Sequence, residues 1–312
     1  MMARRSPIKW PDDARIAIVP CVAFETWPED LGMPGSLNPS NRPPLPLQAK
    51  FKKDMTVITD RQYGERVGVF RMIDLLEREG VKTTFFINGI TAEKVPEIVK
   101  EIKAKGHEIA TESYIHDCSF MKSYEEEKKD LQRTKEAVKS VLGETPEGYL
   151  SMRVQPTDNT PLIIAEEGYT YWVDPQHEEI PYTLKVGDRT LVVLTYMFYV
   201  NDWSSYSLDG RTPRQLLEIW KDCFDYLYEE GEAGSPKTMI WGLHPFLTGR
   251  PYRAKILREF IKYAKGHPRV WFARCIDIAE WWLKNYKESR VEKWPNCLRF
   301  VDPPFISEAS MI

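Results

Sequence analysis

The chain has 312 residues and a formal charge of −3, with Lys and Arg totalling 43 against 46 Asp and Glu. That balance supplies no basic field for a nucleic-acid backbone and no polybasic patch for a membrane surface. No apolar run reaches the roughly 18 residues that a membrane span needs, while the length and a 42 % hydrophobic content allow one large α/β domain or two small ones.

In chain order, "ARIAIVPCVAF" (14–24) reads as a buried strand, and residues 63–80 place apolar side chains at helical spacing up to Gly80. "VKTTFFI" (81–87) is β-branched and aromatic, hence strand; "AEKVPEIVKEIKAKG" is a helix ending at Gly106, and "HEIAT" a strand. A long amphipathic helix over 123–143 follows, then strand "EGYLSMR", helix "TPLIIAEEG", and strands "YTYWVD" and "RTLVVLTY". Helix 212–231, strand "KTMIWGLHP", helix "PYRAKILREFIKYAKGH", strand "RVWFA" and helix "DIAEWWLKNY" complete the series.

About seven strand–helix pairs predict a parallel sheet, either open and doubly wound or closed as a barrel. No glycine-rich phosphate cradle follows the first strand, which argues against a dinucleotide or P-loop protein. Two segments stand apart. Residues 27–60, rich in Pro, Asn and Gly, predict a long lid loop, and 287–312 a C-terminal extension lying across a surface of this chain or of a neighbouring subunit. Residues 1–286 are expected to form a single domain. The first residues lack the long apolar core and cleavage site of a signal peptide. Five scattered cysteines without a CxxC pair read as reduced thiols of a cytoplasmic protein.

In parallel α/β folds the ligand sits where the strands end at their carboxyl edges. The first strand ends at Glu25, the third at Glu112 with His116 beyond it, and the fourth at Arg153. "LVVLTYMFYV" runs into Asp202–Trp203, "KTMIWGL" into His244, and "RVWFA" into Arg274 with Asp277 in the turn. Each residue alone has a structural reading as a solvated loop acid, a packed histidine or a turn cap. Their conjunction on one rim points to a site.

The order of these residues resembles the polysaccharide-deacetylase (NodB-homology) superfamily, over about residues 8–286. The resemblance implies a distorted (β/α)7 barrel of the NodB type. Its motifs correspond here to Phe24–Glu25–Thr26, Glu112–Ser113–Tyr114–Ile115–His116, Arg153, Asp202–Trp203 and Leu243–His244. The stretches "KWPDDARIAI" and "GLHPFLTGRPYRAKILREFIKYAKGHPRVWFARCIDIAEWW" are similar to the PuuE-type allantoinase and cyclic-imide hydrolase branch. That branch implies ring opening of a small cyclic amide or imide without a tightly bound metal.

Two positions depart from the metal-dependent pattern. Thr26 stands where the family has a metal-binding acid, and Glu112 where it has the first metal histidine. A threonine hydroxyl is a poor ligand for a zinc-like ion. The reading therefore expects no tightly bound cofactor. Zinc or another divalent ion held weakly is the alternative, and Glu112, His116 and Glu25 are its only candidate ligands. Without a metal, the expected roles are Glu25 as base toward water and Glu112 and His116 as orienting groups. His244 would be acid toward the leaving nitrogen, with Asp202 orienting it. Arg153, Arg250, Trp27 and Trp203 are expected to bind substrate. A homo-oligomer acting on a small molecule is expected. The rivals are a metal-dependent N-deacetylase of an amino sugar, a catalytically silent barrel used for binding, and a lyase or isomerase built on Glu25 and His244.

Overall fold

The computed structural model describes residues 8–38, 45–48 and 50–295. Its centre is β1 (Ile16–Phe24), buried along its whole length. One edge of β1 carries β8 (Lys237–Leu243) from Ile16 to Val22. The other edge is shared: β9 (Val270–Phe272) pairs with Ile16–Ile18, and β2 (Thr84–Ile87) with Val22–Phe24. From β2 the parallel sheet continues through β3 (Glu108–Thr111), β4 (Gly148–Tyr149), β5 (Tyr171–Trp172) and β7 (Arg189–Val193). Among the described residues no ladder joins the two ends of this path, so hydrogen bonding leaves the distorted barrel open.

Beyond β7 the sheet holds a strand absent from the expected series. Residues Tyr182–Val186 form β6, antiparallel to β7 across Gly187–Asp188. Gly187 has φ +61°, the left-handed backbone that glycine adopts without steric cost and that a tight hairpin requires. At the far edge β10 (Val291–Lys293) pairs parallel with β6. The described part of the C-terminal extension thus lengthens the chain's own sheet, and residues 296–312 lie outside the described residues.

Helices cover the outside: α1 (Met55–Tyr63), α2 (Val69–Arg78), α3 (Gly89–Lys94), α4 (Pro96–Ala104), α5 (Tyr124–Leu142), α6 (Thr160–Glu166), α7 (Pro213–Glu232), α8 (Pro251–Lys265) and α9 (Cys275–Asn285). Among the described residues none is long and apolar enough to cross a membrane. The expected lid loop is shorter than its composition suggests. Asp54 caps α1 by accepting from the N–H groups of Thr56 and Val57, so residues 55–60 are helical despite the Pro-rich run before them. A wider turn at Gly64–Gly68 joins α1 to α2. Its glycines let the helix press on the segment after β8: a Cβ at Gly68 would lie 2.0 Å from the Pro245 carbonyl oxygen.

Packing divides β1 by parity. Ile16, Ile18, Val22 and Phe24 join the outer core under α2, α7 and α8, where Trp220, Phe224 and Phe260 are fully buried. Ala17, Val19 and Cys21 face the inner core with Phe86, Ala110, Val192 and Ile240. Burying each large apolar side chain contributes about 1.5–3 kcal/mol, which fixes register: a one-residue slip would exchange the two faces.

Candidate active site

The inner-face parity leads directly to the site. Two steps of two from Cys21 on β1 reach Glu25, one step from Ala110 on β3 reaches Glu112, and two from Ile240 on β8 reach His244. All three follow the carboxyl ends of parallel strands. Gly242, between Ile240 and His244, has no side chain because a Cβ there would lie 2.1 Å from the Tyr196 hydroxyl.

The Glu25 carboxyl lies between two imidazoles. Its Oε1 is 3.5 Å from His116 Nε2 and its Oε2 is 3.9 Å from His244 Nε2, and the side chain is only 4 % exposed. Burial pushes Glu25 up to about 7; His244, Arg61 and Arg153 pull it back, and Asp202 adds to the rise. Glu112 is raised well above the usual carboxylate range, first by burial and then by the charges of Glu25 and Asp174. Its Oε2 has no hydrogen-bond partner among the described residues.

The two histidines are shifted in opposite directions. Asp202 is fully buried and accepts three donors: His244 Nδ1 at 2.6 Å, the His244 backbone N–H at 2.8 Å and the Thr248 hydroxyl at 2.6 Å. Burial alone would depress the His244 imidazole. The charges of Asp202 and Glu25, with the hydrogen bond to Asp202, outweigh it and raise the pKa. His116 instead is driven well below its ordinary value by burial, with Arg153 and His244 adding to the fall.

The tautomer of neutral His116 follows from its partners. Asn38 Oδ1 must be the acceptor, because Arg153 Nη2 donates to it at 2.7 Å and Asn38 Nδ2 donates to the His116 carbonyl at 2.8 Å. His116 Nδ1, 2.9 Å from that oxygen, therefore carries the proton, and Nε2 presents a lone pair toward Glu25. Trp27 stacks on this imidazole at 3.5 Å, and the Arg61 guanidinium lies over Trp27 and over Phe246. Residues 39–44 and 49 of the expected lid lie outside the described residues.

Glu25, Glu112, His116, Asp202 and His244 thus come together, with Arg153 at their edge through Asn38. The other two expected substrate-binding residues are Trp203 and Arg250. Trp203 is half-buried beside Asp202 in the chain. Arg250 pairs with Asp60 at 2.8 Å and lies over the Tyr63 ring. Arg274 and Asp277 belong at the other end of the sheet, contrary to the rim expectation. Phe272 aligns with Ile18, about 20 Å from the end of β1 at ~3.3 Å per residue. There Asp277 accepts from the Arg274 backbone N–H and pairs with its guanidinium.

Three residues of the cluster are new relative to the sequence reading: Asn38, Arg61 and Asp174. Asp174 is buried, accepts from the Ser151 backbone N–H and from Trp172 Nε1, and is raised to about 7 by burial. Its signal was visible, since "YTYWVD" also ends in an acid. Asn38 and Arg61 had none, one reading as a turn former and the other as a polar helix face. Asn38→Ala leaves the His116 Nδ1–H and an Arg153 donor without their acceptor. It is expected to cost about 1–3 kcal/mol in urea unfolding, and an unchanged midpoint would show that the network is not a stabilising one.

The Thr26 hydroxyl does not suit a divalent ion. The Thr26 hydroxyl donates to Glu65 Oε1 at 3.0 Å and accepts from Thr91 at 2.9 Å. His116 Nδ1–H is held by Asn38, which leaves Nε2 as its one free nitrogen. Among the described residues no group of three or more His, Cys, Asp or Glu side chains is arranged to hold a metal.

The polysaccharide-deacetylase family profile matches residues 50–172. A putative polysaccharide deacetylase of Schizosaccharomyces pombe is 26 % identical, with 88 % of this chain and 92 % of that one covered. The crystal structure of a probable polysaccharide deacetylase from Pseudomonas aeruginosa is 30 % identical with a TM-score of 0.80, covering 91 % of this chain and 96 % of that one. The structure of PuuE allantoinase is 27 % identical with a TM-score of 0.81, at the same coverages. The chain belongs to the polysaccharide-deacetylase family and is a hydrolase of carbon–nitrogen bonds other than peptide bonds.

Proposed function

We propose that this hydrolase opens the ring of a small cyclic amide or imide and does so without a tightly bound metal. The observation that carries the reading is the placement of Glu25 between a neutral imidazole and an Asp-paired one. Hydrolysis of an amide needs an activated water, a stabilised oxyanion and a proton for the departing nitrogen. A carboxyl raised to about 7 is a base suited to neutral pH, and its ionised form takes a proton from water. The lone pair of His116 Nε2 and the Glu112 carboxyl orient that water. His244, charged through its contact with Asp202, protonates the nitrogen that leaves. Arg153 has its Nη2 on Asn38 and Leu37, so its other N–H groups are the ones that would meet a substrate carbonyl. A cyclic imide suits this arrangement because its carbonyl is electrophilic and its leaving group stays tethered.

The test is a screen of hydantoin, dihydropyrimidine, succinimide, phthalimide and allantoin ring opening, with and without chelator. The protein as isolated is expected to contain well under one equivalent of zinc and to keep its activity after prolonged chelation. Activity that vanishes with chelator and returns with zinc or manganese would favour the rival N-deacetylase reading. In that case Glu112→Ala should abolish metal uptake.

A further inference from the structure

A cavity of about 390 Å³ lies beside the catalytic cluster, between α1, the Pro245–Leu247 turn and the start of α8. Arg61 and Phe246 line it, and both also touch the catalytic cluster. Arg61 stacks on Trp27, which stacks on His116, and the Phe246 ring sits 5.6 Å edge-on from the His244 ring. The volume falls in the range of small-ligand sites.

Its charge is unbalanced. Arg61, Arg250 and Arg253 face a single carboxylate, Asp60, which already serves both Arg61 at 3.1 Å and Arg250 at 2.8 Å. Arg253 has no carboxylate partner among the described residues; its guanidinium is held over the Tyr206 ring at 4.0 Å and the Tyr252 ring at 5.2 Å. Arg61 Nε, Arg253 Nε and the Tyr206 hydroxyl are buried without a hydrogen-bond partner among the described residues. Leaving buried donors unpaired costs about 1–3 kcal/mol each, and charge-assisted pairing with a carboxylate recovers it because the guanidinium fork matches two oxygens.

We propose that this cavity is an anion subsite, and that the preferred substrate is a cyclic amide carrying a carboxylate substituent, bound by Arg253, Tyr206 and Arg61. The inference rests on the ring-opening reading for the scissile bond but not for the binding of the carboxylate. Stacking on tyrosines fixes the Arg253 plane before the ligand arrives, so little rotamer freedom is lost on binding.

Hydantoin-5-acetate and unsubstituted hydantoin separate the possibilities. The charged ring is expected to have a kcat/KM at least about tenfold higher, and Arg253→Ala to lower the charged-to-neutral ratio by about tenfold or more. Arg253→Lys, which keeps charge but not the fork, should fall between, and Tyr206→Phe should lower the ratio less. An equal rate for both rings, or an equal loss on both in Arg253→Ala, would overturn the subsite while leaving ring opening intact. If neither ring is opened, calorimetric titration with hydantoin-5-acetate decides. Binding that weakens at least about tenfold in Arg253→Ala keeps the subsite, and ring opening is then decided by the five-ring screen. Absence of binding to the wild-type protein overturns the subsite.

Discussion

Glu25→Gln is expected to lower turnover by about 10²–10⁴ with little change in KM. Glutamine keeps the shape and an acceptor oxygen between His116 and His244 but cannot take a proton from water. In the wild type the carboxyl must be ionised, so the acid limb of kcat should rise through about pH 7; the variant should lack that limb. The same substitution should change stability with the opposite sign. Below the ordinary value of 4.5 the Glu25 carboxyl is neutral in both folded and unfolded chains and contributes no difference. Between 4.5 and about 7 the unfolded carboxyl ionises while the buried one resists, so the wild type loses stability as pH rises. The gap corresponds to about 3 kcal/mol when complete. Glutamine does not titrate, so urea unfolding should find the variant more stable at pH 8 and similar to wild type at pH 4. Normal turnover in Glu25→Gln would mean that another group is the base.

The parts of this site that the sequence made legible are those governed by strand parity. Once "ARIAIVPCVAF" is read as a buried strand, Glu25 falls two positions beyond Ala23 on the inner face, and the same step leads from Ala110 to Glu112 and from Gly242 to His244. The pattern works because β1, β3 and β8 are long enough to hold parity to their ends. It fails for Arg274: β9 pairs only with the first residues of β1, and strand offset is a tertiary property that no local window carries. Asn38 and Arg61 escaped for a different reason. Their roles arise from contacts across the fold, Asn38 with His116 and Arg61 with Trp27 and Phe246, while their local contexts resemble an ordinary turn and an ordinary polar helix face. β6 was missed although "YTLKV" alternates and Gly187–Asp188 is a hairpin signal; only its pairing with β7 makes the strand stable.

Asp202→Asn should be nearly as damaging as loss of the base, and by a route that can be recognised. Asp202 Oδ2 accepts two donors, the His244 backbone N–H and the Thr248 hydroxyl, while Oδ1 accepts His244 Nδ1–H. An asparagine keeps the first two bonds only by placing its oxygen at the Oδ2 position. Its amide nitrogen then faces His244 Nδ1 and donates to it, which moves the imidazole proton to Nε2. The ring is now neutral, and a neutral Nε2–H is a far weaker acid than an imidazolium toward a departing nitrogen. Turnover is expected to fall by about 10²–10⁴, comparable to the cost of a wrong histidine tautomer in hydrolytic triads. The loss of the Asp202 charge also removes the first of the two charges that raise the His244 pKa, leaving that of Glu25, so the alkaline limb of the kcat profile should move to lower pH. Thr248→Val removes one donor to Asp202 without touching the His244 tautomer, and should cost about tenfold at most with no shift of that limb. An Asp202→Asn enzyme within tenfold of wild type, with its alkaline limb unmoved, would take the acid role away from His244.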